Sequence, residues 1–150
     1  RTNAELLRFA QHVIRLRLDH PAFQRPDFYT GSDQDSNLLP DITWFDTGGH
    51  VVDWSRTGRT LALRIDGSHA EIQADEDDND FFLVFNASTR RANVTVCPPP
   101  EGKRWHRVID TALRSPDDIV PGGADDPHLR DEYVCVARSV VVFLSRPVGM

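Results

Sequence analysis

Side chains able to do chemistry are plentiful in this sequence, but few stand at the spacing that chemistry requires. Its 23 carboxylates could supply the acid and base that together cleave a glycosidic bond, yet they are scattered through loops and no pair is singled out. The dense run Asp75-Glu76-Asp77-Asp78-Asn79-Asp80 could hold calcium through its oxygens. It lacks the glycine and the closing glutamate of a calcium loop and lies between two predicted strands, so a solvated hairpin tip is expected instead. His12 and His20 are eight residues apart, His50, His69 and His106 are scattered, and none has a carboxylate at ligand spacing. The sequence therefore predicts no metal site and no histidine catalysis. GxSxG, HExxH, GxGxxG and GxxxxGK[ST] are all missing, which leaves hydrolase-elbow, zincin, dinucleotide and P-loop readings without a starting point. No catalytic residue and no cofactor are expected.

Aromatic rings can stack on sugars, and Trp44, Trp54 and Trp105 are the candidates. Trp44 and Trp105 sit within strand patterns, where a large ring belongs to the core. Trp54, in a looser stretch after Asp53, is the candidate carbohydrate-binding residue, able to meet a glycan or a neighbouring domain. Asn86-Ala87-Ser88 and Asn93-Val94-Thr95 match the glycosylation sequon, a short pattern that recurs by chance. Cys97 and Cys135 form no CxxC and are expected as free, buried thiols.

The elements that must position these groups begin with a helix. Thr2-x-x-Glu5 reads as a capping box, and Glu5, Arg8, His12, Arg15 and Asp19 recur on one polar face. Leu6, Phe9, Ala10, Val13, Ile14 and Leu18 form the apolar stripe, and His20-Pro21 ends a helix over residues 3–19. Residues 26–40 lack periodicity and read as a loop. Beyond them the period becomes two. Short strands are predicted at 42–45, 61–65, 81–86, 94–97, 105–110, 133–136 and 140–144, bounded by turn residues such as Gly48-Gly49 and Asp66-Gly67. Residues 114–132, with three prolines and two glycines, suit a long crossover. The expected fold is mainly β, an antiparallel β-sandwich with a Greek-key connection, preceded by one amphipathic helix whose apolar face has no second helix to receive it.

The chain has 150 residues, long enough for one domain with a true core, and carries 17 basic against 23 acidic side chains. A net charge of −6 without a basic stripe disfavours nucleic acid as a partner. No apolar run approaches the ~20 residues that span a bilayer, so no membrane is expected. Arg1-Thr2-Asn3-Ala4-Glu5 has no secretory pattern, which points to a cytoplasmic location.

Several stretches taken together carry a resemblance. Ala4-Glu5-Leu6-Leu7-Arg8-Phe9, Ile14 through Phe23, Asp41-Ile42-Thr43-Trp44-Phe45 and Arg59-Thr60-Leu61-Ala62-Leu63 come first. Phe82 through Ala87, Pro98-Pro99-Pro100 before Trp105, Val108-Ile109-Asp110-Thr111, and Ala137-Arg138-Ser139 before Val140 follow. Their order and spacing resemble the C-terminal end of isoamylase-type glycogen debranching enzymes, a branch of the α-amylase superfamily. The resemblance implies a β-sandwich of the domain C type over residues 41–150, with 26–40 as linker. It also implies that residues 1–25 hold the last helix of an upstream (β/α)8 barrel. That barrel would be the main partner and would carry the catalytic carboxylates for α-1,6 hydrolysis of glycogen or related α-glucans, so this chain alone is expected to be inactive. The alternative is a non-catalytic α-glucan-binding module acting through Trp54.

Overall fold

A computed structural model describes residues 2–56, 58–125 and 129–149. The helix forms as expected: α1 spans Asn3–Asp19, and the Thr2 side chain caps the Glu5 N–H while Glu5 accepts from the Thr2 N–H. A turn of 3-10 helix, Pro21–Phe23, follows. Eight strands are found among the described residues: β1 Ile42–Phe45, β2 Thr60–Ile65, β3 Phe81–Asn86, β4 Ala92–Thr95, β5 Lys103–Asp110, β6 Ile119–Ala124, β7 Glu132–Cys135 and β8 Ser139–Pro147. A four-residue helix α2, His69–Ile72, interrupts the β2–β3 connection.

All pairings are antiparallel. Six strands form one sheet in the order β1-β2-β3-β8-β5-β6, and β4 and β7 form a second. The chain leaves the large sheet after β6, contributes β7 to the small sheet, and returns as β8 between β3 and β5, which gives the sandwich its crossed connection. The apolar runs of β3 and β8 are continuous rather than alternating because the large sheet is covered on both faces. Phe82, Val84, Val141 and Phe143 meet Val94 and Cys135 of the small sheet. Phe81, Val142 and Leu144 face the other way, toward Ala22, Ile72 and the partly buried Phe9, Val13 and Leu16 of α1. A register shift between Arg107 and Ile109 lets consecutive Val108 and Ile109 join this second core.

Four expectations need correction. The stretch 114–132 is not one irregular crossover, for it contains β6, an edge strand where Pro121 removes no needed ladder bond; its residues 126–128 lie outside the described residues. Asp66-Gly67 is not a tight turn between strands, because α2 and the acidic run lie between β2 and β3. A Cβ on Gly67 would lie 2.3 Å from the Asn79 carbonyl oxygen, so glycine is needed because two backbones meet. The acidic run is a solvated tip only over its first half, where Asp75, Glu76 and Asp77 are exposed. Asp78 accepts from the Ala22 N–H and lies 2.7 Å from His20 Nδ1, and Asp80 is buried against Arg64, because the second half is a strap that ties α1 and β2 together.

The helix stripe also splits in two. Phe9, Val13 and Leu16 lie on the sheet, and the supposedly wet Arg8 turns inward, donating to buried Asp118 and to the carbonyls of Pro116 and Ile119. Leu7, Ile14 and Leu18 remain 59–60% exposed on the opposite side, a second apolar face, and Leu6, 55% exposed, lies at the N-terminal end of the Val13 side. No helix among the described residues is long and apolar enough to cross a membrane.

Candidate functional site

Among the described residues, two features stand out as able to bind a ligand, and each is built by connections at the edge of the large sheet. The first is an open groove of about 680 Å³ beside the β1–β2 edge. It runs between Asp46 at the end of β1, Arg59 just before β2, and Phe85 on β3, with Trp54 on its wall. Gly49, at φ +81°, turns the chain after β1, and Asp46 fastens that turn by accepting from the Gly48 and His50 N–H groups. Those backbone bonds hold the Asp46 carboxyl below its usual range. The turned chain then pairs back on β1 through Val52 N–H to Trp44 O and brings Trp54 edge-on to Trp44, with ring centroids 5.7 Å apart. Trp54 remains 67% exposed, so its ring is held from one side and open on the other. Arg56 and Asp53 lie beside it on the exposed loop. The groove offers an aromatic surface flanked by guanidinium and carboxylate groups, a combination that suits a neutral polyhydroxylated ligand rather than a covalent reaction.

The other tryptophans are structural. Trp105 is buried and its Nε1–H donates to the Cys97 carbonyl, while Trp44 is half-buried against the core. Cys97 and Cys135 are free and buried; burial pushes the Cys97 thiol up to about 11 and the Cys135 thiol upward, so neither is poised as a nucleophile. Asn86, the first sequon asparagine, is buried. Its amide donates to the carbonyls of Arg90, Cys135 and Val136, clamping β3 to the small sheet.

The second feature escaped sequence reasoning because its parts are far apart in the chain. Asp33 and Asp35, in the loop ahead of β1, meet Glu71 of α2, and one carboxylate oxygen from each lies within 4.8 Å of the others. Burial disfavours ionisation of Asp33, but the N–H groups of Leu38, Ser36, Asp35 and Asn37 outweigh it and hold Asp33 below its usual range. Glu71 is shifted the opposite way, by burial foremost and by the charges of Asp35 and Asp66. Local spacing gave no histidine a carboxylate partner, but the fold brings His20 to Asp78 and His69 to Asp77, each at 2.7 Å and each tying a loop.

The chain is similar to known proteins along this framework. The model of the family "Isoamylase, C-terminal" matches residues 41–144, the span from the strand before the Trp54 groove to the end of the β8 core. The chain is 28% identical over 141 residues to isoamylase 3, chloroplastic, of Oryza sativa subsp. japonica, covering 93% of this chain and 15% of that protein. It is 31% identical over 107 residues to the isoamylase of Pseudomonas amyloderamosa, covering 69% and 12%. It is 28% identical over 120 residues to the glycogen operon protein GlgX homolog of Mycobacterium bovis, covering 73% and 16%. The chain thus spans less than a fifth of the length of these relatives. A match that runs through β1 to β8 and takes in well over half of the residues leaves one assignment: the chain belongs to the isoamylase C-terminal domain family.

Proposed function

We propose that this chain is the C-terminal structural part of a glycogen debranching enzyme that hydrolyses α-1,6-glucosidic linkages, with the catalytic carboxylates on an upstream barrel of the same polypeptide. Residues 41–150 are then the β-sandwich domain, 26–40 the linker, and 1–25 the last barrel helix. The observation that carries this reading is the second apolar face of α1. One side of the helix is seated on the sheet by Phe9, Val13 and Leu16, while Leu7, Ile14 and Leu18, at i, i+7 and i+11 along the far side, are left about 60% exposed. An apolar stripe of that length along an ordered helix marks an interface. The relatives are several times longer than this chain, and the family match begins at residue 41, after α1, both of which support a further domain lying over that face.

Two measurements test the reading. The 150-residue chain alone is expected to release no reducing ends from glycogen, whereas the polypeptide extended upstream by a barrel's length does; hydrolysis by the chain alone overturns the division of labour. Leu7→Glu with Ile14→Glu should lower the melting temperature of the extended polypeptide by several degrees, since buried charges without partners are costly. The same pair should leave the isolated chain's stability within about 0.5 kcal/mol, as for exposed sites in general.

The exposed ring of Trp54 supports a second reading, an α-glucan-binding module that raises local substrate concentration. Titration with maltoheptaose is then expected to shift tryptophan fluorescence, and Trp54→Ala to remove the response, since loss of a stacking ring of this kind costs roughly 1–3 kcal/mol. A flat titration of the wild-type protein into the millimolar range removes this reading and leaves the structural one in place.

A further inference from the structure

We propose that Asp33, Asp35 and Glu71 form a calcium-binding site that fastens the loop ahead of β1 to the sandwich. Glu71 is 0% exposed. Its Oε1 accepts from the Gln34 N–H at 2.6 Å and the Asp35 N–H at 3.3 Å, but its Oε2 has no hydrogen-bond partner. A buried carboxylate oxygen left unpaired is among the costliest arrangements a fold can keep. Here it is kept beside two further carboxylates, with ligand oxygens of all three within 4.8 Å of one another. Among the described residues no lysine, arginine or histidine pairs with any of the three.

Backbone N–H groups offset part of that repulsion at Asp33, and Asn37 and Ser68 donate to Asp35; a proton or a cation would relieve the rest. A proton on one carboxyl reduces the charge by one and leaves the other two facing each other. A divalent cation among them offsets two of the three negative charges, can be shared by all three carboxylates at once, and can take the orphan oxygen as a ligand. The donors are all oxygen and carry up to three negative charges, which favours a hard cation over zinc or copper. The ligands sit on a short loop and a four-residue helix, and such a pliable set suits calcium, with six to eight ligands, better than the strict octahedron of magnesium.

The loop sequence agrees with this. Asp33, Asp35 and Asn37 alternate as do the first, third and fifth positions of a calcium loop, and Leu38, where such loops place glycine, has φ +70°. The closing glutamate of that motif is missing from the loop and is supplied by Glu71, 36 residues beyond Asp35. Water and main-chain carbonyls would complete the shell.

The test uses the intact polypeptide that carries this chain. After chelation and dialysis, calcium is returned and bound metal counted by atomic emission. The Asp33→Asn/Asp35→Asn variant is expected to bind one calcium fewer per molecule than wild type, and Glu71→Gln likewise. At about a hundredfold excess over its dissociation constant, calcium should raise the wild-type transition of this domain by roughly 5 °C and that of Asp33→Asn/Asp35→Asn by less than about 1 °C. Because Asp33 and Asp35 are exposed, their variant folds even if Glu71→Gln does not. Equal calcium content in wild type and both variants overturns the site. An equal response to magnesium chloride overturns the assignment to calcium, and stabilisation by Glu71→Gln without any metal response shows that a proton occupies the cluster instead.

Discussion

An Asp41→Ala substitution is expected to lower the free energy of unfolding by about 3–5 kcal/mol, the range found when one partner of a buried ion pair is removed. Asp41 is fully buried at the mouth of β1, and its Oδ2 is bonded to the Arg25 guanidinium, itself almost wholly buried over the Tyr29 ring. The same carboxylate accepts from the N–H groups of Thr30, Gly31 and Ile42. Alanine therefore strands one cation and three backbone donors at once. Burial works against ionisation of Asp41, but the Thr30 N–H, Arg25 and the other donors outweigh it and hold the carboxyl below its usual range. The sign of the pH dependence follows. A carboxyl with a lowered folded pKa contributes its stability above its unfolded value, about 3.9, and loses it as pH falls through the folded value. The difference between wild type and Asp41→Ala should be full at pH 7 and narrow below about pH 4. Denaturant melts across pH 3–7 check this, and a difference that stays constant to pH 3 would show that the variant acts through packing.

The anchoring role of Asp41 was invisible in the sequence, and the reason is general to this protein. Periodicity shows which side chains share a face, so α1, β2, β3 and β8 were legible: their apolar residues recur at helix spacing or in runs bounded by turns. It does not show which polar residue meets which across tens of positions. Asp41, Glu71, Asn86 and Asp118 are all buried, and each looks like a loop or surface residue when read locally. The strand β6 escaped for a different reason. Its core is Pro121-Gly122-Gly123, which reads as a turn, but at the sheet edge proline is harmless, and Gly123 is needed because a Cβ would come within 2.6 Å of the His106 Cβ.

The helix shows the limit from the other side. Its stripe was legible, but a helix apolar over more than half its circumference has two ways to lie on a sheet. Arg8 decides between them, because Asp118 and two carbonyls at the β6 entrance offer it a buried seat. For Trp54, the looser sequence around it set it apart from Trp44 and Trp105, and the edge-on contact with Trp44 that fixes its ring came only with the fold. The Asp33 cluster had half its signal in an Asp-x-Asp-x-Asn alternation, but the buried carboxylate that gives it meaning lies in α2, a helix too short to leave a periodic pattern.

Arg64→Met is expected to cost about 3–5 kcal/mol at pH 7, and to recover in acid. Arg64 on β2 donates twice to Asp80 Oδ2, at 3.1 and 2.6 Å, with 11% and 7% of the two side chains exposed. Burial pushes the Asp80 carboxyl up, and Arg64 offsets only part of that push. A carboxyl with a raised folded pKa destabilises most when it is charged, above the folded value, and the penalty disappears as pH falls below the unfolded value of about 3.9. Without Arg64 the folded pKa rises further, so the variant should regain much of the loss between pH 7 and pH 4, the opposite course to a simple loss of packing. The pair also gives a sharper test. If the cost of Arg64→Met is the cost of a stranded carboxylate, then Arg64→Met with Asp80→Leu should return to within about 1–2 kcal/mol of wild type, because apolar replacement of a whole buried pair is often neutral. A double variant as unstable as the single one would mean that Arg64 and Asp80 attract each other by more than their burial costs, and that the strap from Gly67 to Asp80 depends on that attraction.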